Sequence, residues 1–411
     1  MTELKVEADP ADLGFDPTRL ARIDAHFARY VDDGRLPGWL ILVSRAGHIA
    51  YLGCYGDRDM EARRPIEWDT LFRIYSMTKP VTAVAAMMLY EEGAFELKDP
   101  VSRFIPAFAE TRVYRSGSAL KPVTEALREP IRIWHLLTHT AGLSYGFHHA
   151  HPVDALYRAA GFEWGPPDGL DLAACCEAWA GLPLMFQPGT EWNYSVASDV
   201  LGRVIEVASG LSLERFFAER IFQPLGMADT RFWVDATDRD RLAAFYSPHP
   251  ETRRAVRNDA MDRINRQPPR CCLGGDGLVS TAADYHRFTQ MLRRGGELDG
   301  VRLLSNRTLR YMTRNHLPGG VDLETCGRPL FSETTFTGIG FGLGFSVVLD
   351  PVANKVLASP GEFAWGGAAS TAFWVDPVED ITVLLLTQLF PSTTHPLRSQ
   401  LRQLVYQALV D

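Results

Sequence analysis

Strand-like runs stand at both ends of this chain, and a long middle stretch lacks them. Near the N-terminus, Trp39-Leu-Ile-Leu-Val-Ser44 and Ile49-Ala-Tyr-Leu-Gly-Cys-Tyr55 flank Ala46-Gly47-His48. Two such apolar runs around a glycine turn predict a β-hairpin. Near the C-terminus, Gly342-Leu-Gly-Phe-Ser-Val-Val-Leu349, Ser370-Thr-Ala-Phe-Trp-Val375 and Ile381-Thr-Val-Leu-Leu-Leu386 predict three further strands. Leu20, Ile23, Phe27 and Tyr30 recur at helical spacing, and a second amphipathic helix is predicted over 396–410. The run Val81-Thr-Ala-Val-Ala-Ala-Met-Met-Leu-Tyr90 predicts a helix over 80–92, closed by Gly93. Residues 100–260 read as helices and long loops, with helical patterns at Ile131–Leu137 and Val196–Ala208. Apolar strands far apart in sequence must meet to bury their faces. The expected fold is therefore α/β (α+β), an antiparallel sheet flanked by helices and built from 1–98 and 270–411. A mostly helical domain, 99–269, is inserted, and the active site is expected between the two.

At 411 residues and 46% hydrophobic, the chain can bury a large core. Its net charge of −8, with no basic block, argues against a nucleic-acid partner. The six cysteines include Cys175-Cys176 and Cys271-Cys272 but no Cys-x-x-Cys, so reduced core thiols are expected rather than a metal site. The start, Met1-Thr-Glu-Leu-Lys-Val-Glu-Ala-Asp-Pro10, has neither a basic n-region nor an apolar h-region, and a cytoplasmic location is expected. No uncharged apolar run reaches 18 residues, so no membrane span is expected.

Chemistry concentrates at Ser76-Met77-Thr78-Lys79, at the mouth of the apolar helix. A hydroxyl and an amine three residues apart share one helix face. The helix start adds free N–H groups and positive partial charge, which favour an oxyanion. The pair thus offers a nucleophile and a base. A second Ser-x-x-Lys, Ser118-Ala-Leu-Lys121, runs into Pro122 with no apolar helix behind it and reads as a surface loop. Gly142-Leu-Ser144-Tyr-Gly146 matches the Gly-x-Ser-x-Gly elbow. That motif needs a buried strand before it and a helix after it, and neither is predicted there. His135 and His139 stand four apart, near His148, His149 and His151, but Leu136 occupies the position where a zincin needs Glu. They read as structural histidines. Tyr194-Ser195-Val196 enters a predicted helix, where a tyrosine hydroxyl can point into a cleft or simply sit at an interface. Trp365-Gly366-Gly367-Ala368 precedes a predicted strand, where glycines permit close backbone approach to a ligand or a bulge.

Taken in order, these elements resemble the β-lactamase-related serine hydrolases, and most closely the family VIII carboxylesterases. Around them stand His135-Leu-Leu-Thr-His-Thr-Ala-Gly-Leu143, Pro188-Gly-Thr-Glu-Trp-Asn-Tyr-Ser195 and Gly274-Gly-Asp-Gly-Leu-Val-Ser-Thr281. The resemblance runs from about residue 17 to the end. It implies a β-lactamase/transpeptidase-like fold, Ser76 as nucleophile, Lys79 and Tyr194 as its proton-handling partners, and Trp365-Gly366-Gly367 as the third motif. It also implies an oxyanion site at the N–H groups of Ser76 and Ala368, with no cofactor and no metal. Two departures from class C β-lactamases matter. Val196 replaces the Asn of a Tyr-x-Asn motif, and Trp365 replaces the Lys of Lys-Thr-Gly. An indole cannot supply the charge that holds a substrate carboxylate. The expected activity is therefore hydrolysis of a small-molecule ester of a short- to medium-chain acid. The alternatives are a β-lactamase or D,D-peptidase, an acyltransferase to an alcohol, and a catalytically inactive binding module.

Overall fold

The computed structural model describes residues 4–328 and 335–410. The predicted hairpin is β1 (Gly38–Arg45) and β2 (His48–Asp59), with Leu42 opposite Leu52 and Arg45 opposite His48. Ala46 and Gly47 form its two-residue turn, both at positive φ (53° and 88°). That geometry matches the twist of the flanking strands. The remaining strands of this sheet are β3 (Arg64–Pro65), β4 (Ile339–Phe341), β5 (Ser346–Val348), β6 (Phe363–Gly366), β7 (Ala372–Asp376) and β8 (Ile381–Leu386). They join in the order β4-β5-β6-β7-β8-β1-β2-β3, antiparallel throughout. The two chain ends meet where β1 pairs with β8, Leu40 opposite Leu386 and Val43 opposite Val383.

Both strands at that junction are buried on both faces, and alternate residues feed two different cores. Trp39, Ile41 and Val43 point into one, together with Ile381, Val383 and Leu385. Leu40 and Leu42 point into the other with Leu384 and Leu386. The period of two is what one strand needs to serve two layers. The first core is closed by α1 (Arg22–Asp32), through Ile23, Phe27 and Tyr30, and by the C-terminal helix, through Leu397, Leu401 and Val405. Each fully buried Leu, Ile or Phe contributes about 1.5–3 kcal/mol.

The second core is organised around α2 (Thr78–Glu91). Every residue from Thr78 to Leu89 is buried, so this helix runs through the middle of the molecule. Against it lie α3 (Ala197–Ser209) and, on the sheet side, α4 (Ala282–Arg293). The C-terminal helix is α5 (Leu397–Tyr406). Among the described residues, no helix is long and apolar enough to cross a membrane.

Three expectations need correction. Residues 342–349 are not one strand: β4 ends at Phe341, Gly342 N–H donates to the Phe345 carbonyl (2.8 Å), and β5 begins at Ser346. Gly344, at φ 90°, packs so closely on Ala83 of α2 that a Cβ would collide with it. The middle of the chain also contains a hairpin, Arg112–Ser118 with Lys121–Ala126, and Ser118 and Lys121 face each other at its tip. Its strands are mostly solvent-exposed, so they carry no apolar alternation to be read. Finally, only Cys175 and Cys176 are buried; the other four thiols are partly exposed, and all six are free.

Candidate active site

The chain approaches α2 through a single 3-10 turn, Tyr75–Met77. Tyr75 sits at φ 46°, a region that side chains other than Gly, Asn or Asp rarely adopt. The surroundings fix this turn from several sides. Tyr285 Oη of α4 donates to the Met77 carbonyl (2.9 Å), and Ile74 N–H donates to the Leu278 carbonyl (3.0 Å). The turn presents Ser76 to a cavity of about 300 Å³. Tyr145, Phe147, Trp164, Tyr194, Trp365 and Phe390 form much of its wall.

Lys79 lies one helical turn on and is buried. Its Nζ donates to Ser76 Oγ (3.1 Å) and to the Gly275 carbonyl (2.7 Å). Tyr194 arrives from the loop before α3, and its Oη hydrogen-bonds Ser76 Oγ at 2.6 Å. The three side chains that the sequence singled out therefore converge on one oxygen. Lys79 Nζ also stands 4.5 Å from the centre of the Tyr194 ring. The Tyr194 backbone is held by His148, whose Nε2 donates to its carbonyl (2.7 Å). Asn193 ties the same loop to the Leu143 carbonyl (2.9 Å).

The third motif ends β6. Trp365 pairs with Phe373, and its ring stands 5.6 Å from that of Tyr194. Gly367 must be glycine because a Cβ there would collide with the Ile74 carbonyl, just ahead of the Ser76 turn. Close packing of these two segments brings Ala368 to the cavity wall alongside Ser76.

The loop that receives Lys79 lies within residues 274–281, which sequence reasoning quotes only as part of the resemblance and gives no role. Gly274 and Gly275 pack on the first turn of α3, where a Cβ on Gly274 would collide with the Ser198 carbonyl. Gly275 N–H donates to Asp199 Oδ1 (2.7 Å) while its carbonyl accepts from Lys79. One residue thus joins the helix that follows Tyr194 to the lysine. Asp276, next in line, also faces the cavity. Burial pushes both carboxyls up to about 6, with Lys79 opposing the shift. The adjacent glycines of Gly274-Gly275 were the available sign that a backbone comes close to another there.

Most of the remaining sequence candidates lie elsewhere; His139 does not, its ring standing 5.0 Å from that of Tyr194. Ser118 is exposed at its hairpin tip. Ser144 is fully buried and donates to Asp154 Oδ1 (2.6 Å), away from the cavity wall. His135 Nδ1 accepts the Arg132 N–H (2.9 Å), and His151 Nδ1 accepts the Val153 N–H (3.2 Å), each serving a helix start. His139 Nδ1 faces Ser195 Oγ at 3.3 Å.

A family model described as Beta-lactamase matches residues 23–407, almost the whole chain. The chain belongs to the β-lactamase family. Protein Rv1367c of Mycobacterium tuberculosis is 38% identical to it over 363 residues, 88% of each chain. Esterase EstB of Burkholderia gladioli is 33% identical over 421 aligned residues, covering 97% of this chain and 98% of the esterase. The solved structure of EstCE1, described as a hydrolase with promiscuous acyltransferase activity, superposes with a TM-score of 0.79. It is 29% identical and covers 95% of this chain and 99% of its own. The β-lactamase/transpeptidase-like architecture expected from the sequence is the one observed, and the chain is a serine hydrolase of this family.

Proposed function

We propose that this serine hydrolase is a carboxylesterase, cleaving small esters of short- to medium-chain acids through an acyl-enzyme on Ser76. The observation that carries the reading is the convergence of Lys79 Nζ and Tyr194 Oη on Ser76 Oγ at the end of an aromatic cavity. Ser76 Oγ attacks the ester carbonyl while its proton passes to the Lys79–Tyr194 pair. Negative charge gathers on the carbonyl oxygen, which accepts from the N–H groups of Ser76 and Ala368. The tetrahedral adduct collapses, and the pair returns the proton to the departing alkoxide. Water repeats the sequence on the acyl-enzyme and releases the acid.

Neutral esters fit this cleft better than β-lactams. Trp365 stands where a lactamase offers a lysine, and a charge-assisted hydrogen bond contributes about 1.5–3 kcal/mol. Losing it at that position corresponds to roughly ten- to over a hundredfold in specificity, and Arg398, which also lines the cavity, is engaged by the Gly367 and Thr371 carbonyls. Acyl transfer to an alcohol is the second reading, supported by the apolar cavity wall and by the transfer activity described for EstCE1. The test is kcat/KM for 4-nitrophenyl butyrate against a chromogenic cephalosporin under identical conditions, after fluorophosphonate labelling has shown a reactive serine. The ester value should exceed the cephalosporin value. Equality or reversal would move the assignment to a β-lactamase, and failure to label would indicate an inactive module. Added alcohol that diverts most of the acyl group from water would favour the transferase.

A further inference from the structure

We infer that Arg398 is a positioning residue for this chemistry, fastening the turn that carries Ala368 against the Ser76 turn. The inference rests on the ester-hydrolysis reading above. After β6 the chain makes a tight loop from Gly367 to Thr371. Gly367 N–H donates to the Thr371 carbonyl (2.9 Å), and Ser370 N–H donates to the Gly367 carbonyl (3.2 Å). Arg398 Nη2 donates to both of those carbonyls, at 2.8 Å to Gly367 and 3.0 Å to Thr371. One guanidinium nitrogen therefore bridges the two ends of the loop that contains Ala368.

The cation is well placed for this. Leu397 and Leu401 on either side of it are buried in the core under the sheet. One turn on, Arg402 pairs with the buried Glu362 at 2.7 Å, which fixes α5 to the residue preceding β6. The guanidinium lies directly against Gly366, where a Cβ would stand 2.5 Å from it. This explains why the second position of the third motif is glycine: any side chain there would displace the arginine. The same loop meets the Ser76 segment, where Thr371 Oγ1 donates to the Ile74 carbonyl (3.4 Å). Arg398 and the Ile74 carbonyl thus both hold the ends of the loop that contains Ala368. A guanidinium can hold two carbonyls at fixed separation, which a flexible ammonium does less well.

The test compares wild type with Arg398→Ala, Arg398→Lys and Gly366→Ala, all normalised by titrating the reactive serine to completion with a fluorophosphonate. The substrates are two 4-nitrophenyl esters of equal acyl length, one neutral and one carrying a terminal carboxylate. Misplacing one oxyanion donor should lower kcat by about 10²-fold with little change in KM. The loss should be the same for both esters, and affinity for a boronic acid inhibitor should fall in parallel with kcat/KM. Arg398→Lys should recover part of the rate, and Gly366→Ala should imitate Arg398→Ala. Unchanged kcat per labelled serine in the arginine variants would overturn the inference. So would a loss confined to KM for the carboxylate-bearing ester, since Arg398 would then be binding substrate. If Arg398→Ala does not fold, Arg398→Lys and Gly366→Ala decide by the same criteria. A wild-type protein that labels but turns over neither ester removes the ester-hydrolysis reading, and this inference with it. Active wild type with unaffected variants removes this inference alone.

Discussion

Ser76 and Ser144 differ in what surrounds their hydroxyls, and that difference separates chemistry from packing. Ser76 Oγ faces a cavity and hydrogen-bonds Lys79 and Tyr194, whereas Ser144 Oγ is sealed against Asp154. Ser76→Ala should reduce ester turnover by at least ~10³-fold and leave the thermal midpoint close to wild type. Ser144→Ala should do the reverse. It leaves Asp154 Oδ1 without this donor in a buried site, at a cost of about 1.5–3 kcal/mol, while turnover per folded molecule stays near wild type. Parallel melting curves and initial rates check both, and lost turnover in Ser144→Ala with full activity in Ser76→Ala would transfer the nucleophile to the elbow motif. Lys79 and Tyr194 meet at the same oxygen, so their losses should not add. The double variant Lys79→Ala/Tyr194→Phe should be little slower than the slower single variant, as groups acting as a unit behave. Additive barriers would mean that the two act in separate steps.

At the scale of elements, the site depends on segments pressed together at glycines. Gly274→Ala places a methyl against the Ser198 carbonyl of α3, so the loop must move and Lys79 loses its fixed carbonyl partner. We expect both activity and the melting midpoint to fall. Gly181→Ala meets nothing closer than 3.4 Å and has an ordinary helical backbone (φ −74°), so it should be near neutral. Equal behaviour of the two variants would remove close packing as the reason for glycine at 274. The same contrast explains what could be read from the chain. The first hairpin, α2 and β8 were legible because each is a nearly unbroken apolar run bounded by turn residues. Ser76 and Lys79 were legible because a three-residue spacing fixes their relation within one helix. Tyr194 and the third motif were located by resemblance, since nothing local orients a tyrosine toward a serine 118 residues away. Gly275, its tie to Asp199 and the clamp of Arg398 were not legible. Lys79 reaches across 196 residues to Gly275, and Gly275 across 76 to Asp199. The 342–349 strand was misread because its apolar residues mimic a strand while its glycines permit a turn.

At the scale of the whole molecule, buried titratable groups set opposing responses to acid. Burial, assisted by nearby arginines, lowers His135 to about 3 and both His286 and His395 to about 4. His139, His148, His151 and His316 shift the same way, with burial the largest cause. Such a histidine stays neutral in the folded chain while the unfolded chain takes up a proton below about pH 6.5. Its contribution to stability is therefore complete above pH 6.5 and is lost as the pH falls toward the folded value. By pH 5 each of His135, His286 and His395 has lost part of that contribution. Asp199, Asp276 and Asp284 are pushed up to about 6 by burial. They work in the other direction, because the folded chain holds these protons more tightly and stability is lost as the pH rises through 6. Going from pH 7 to pH 5 they return stability, and the buried Glu362, whose carboxyl burial also pushes up, acts in the same direction. Seven histidines thus oppose four buried carboxyls, and the histidines are the larger set. Denaturant unfolding at pH 7, 6 and 5 should accordingly show stability falling toward pH 5. Asp199→Asn should steepen the fall, because it deletes one of the groups that gains stability on protonation. A rise in wild-type stability at pH 5, or a shallower slope in Asp199→Asn, would show that the carboxylates, and not the histidines, govern how this fold meets acid.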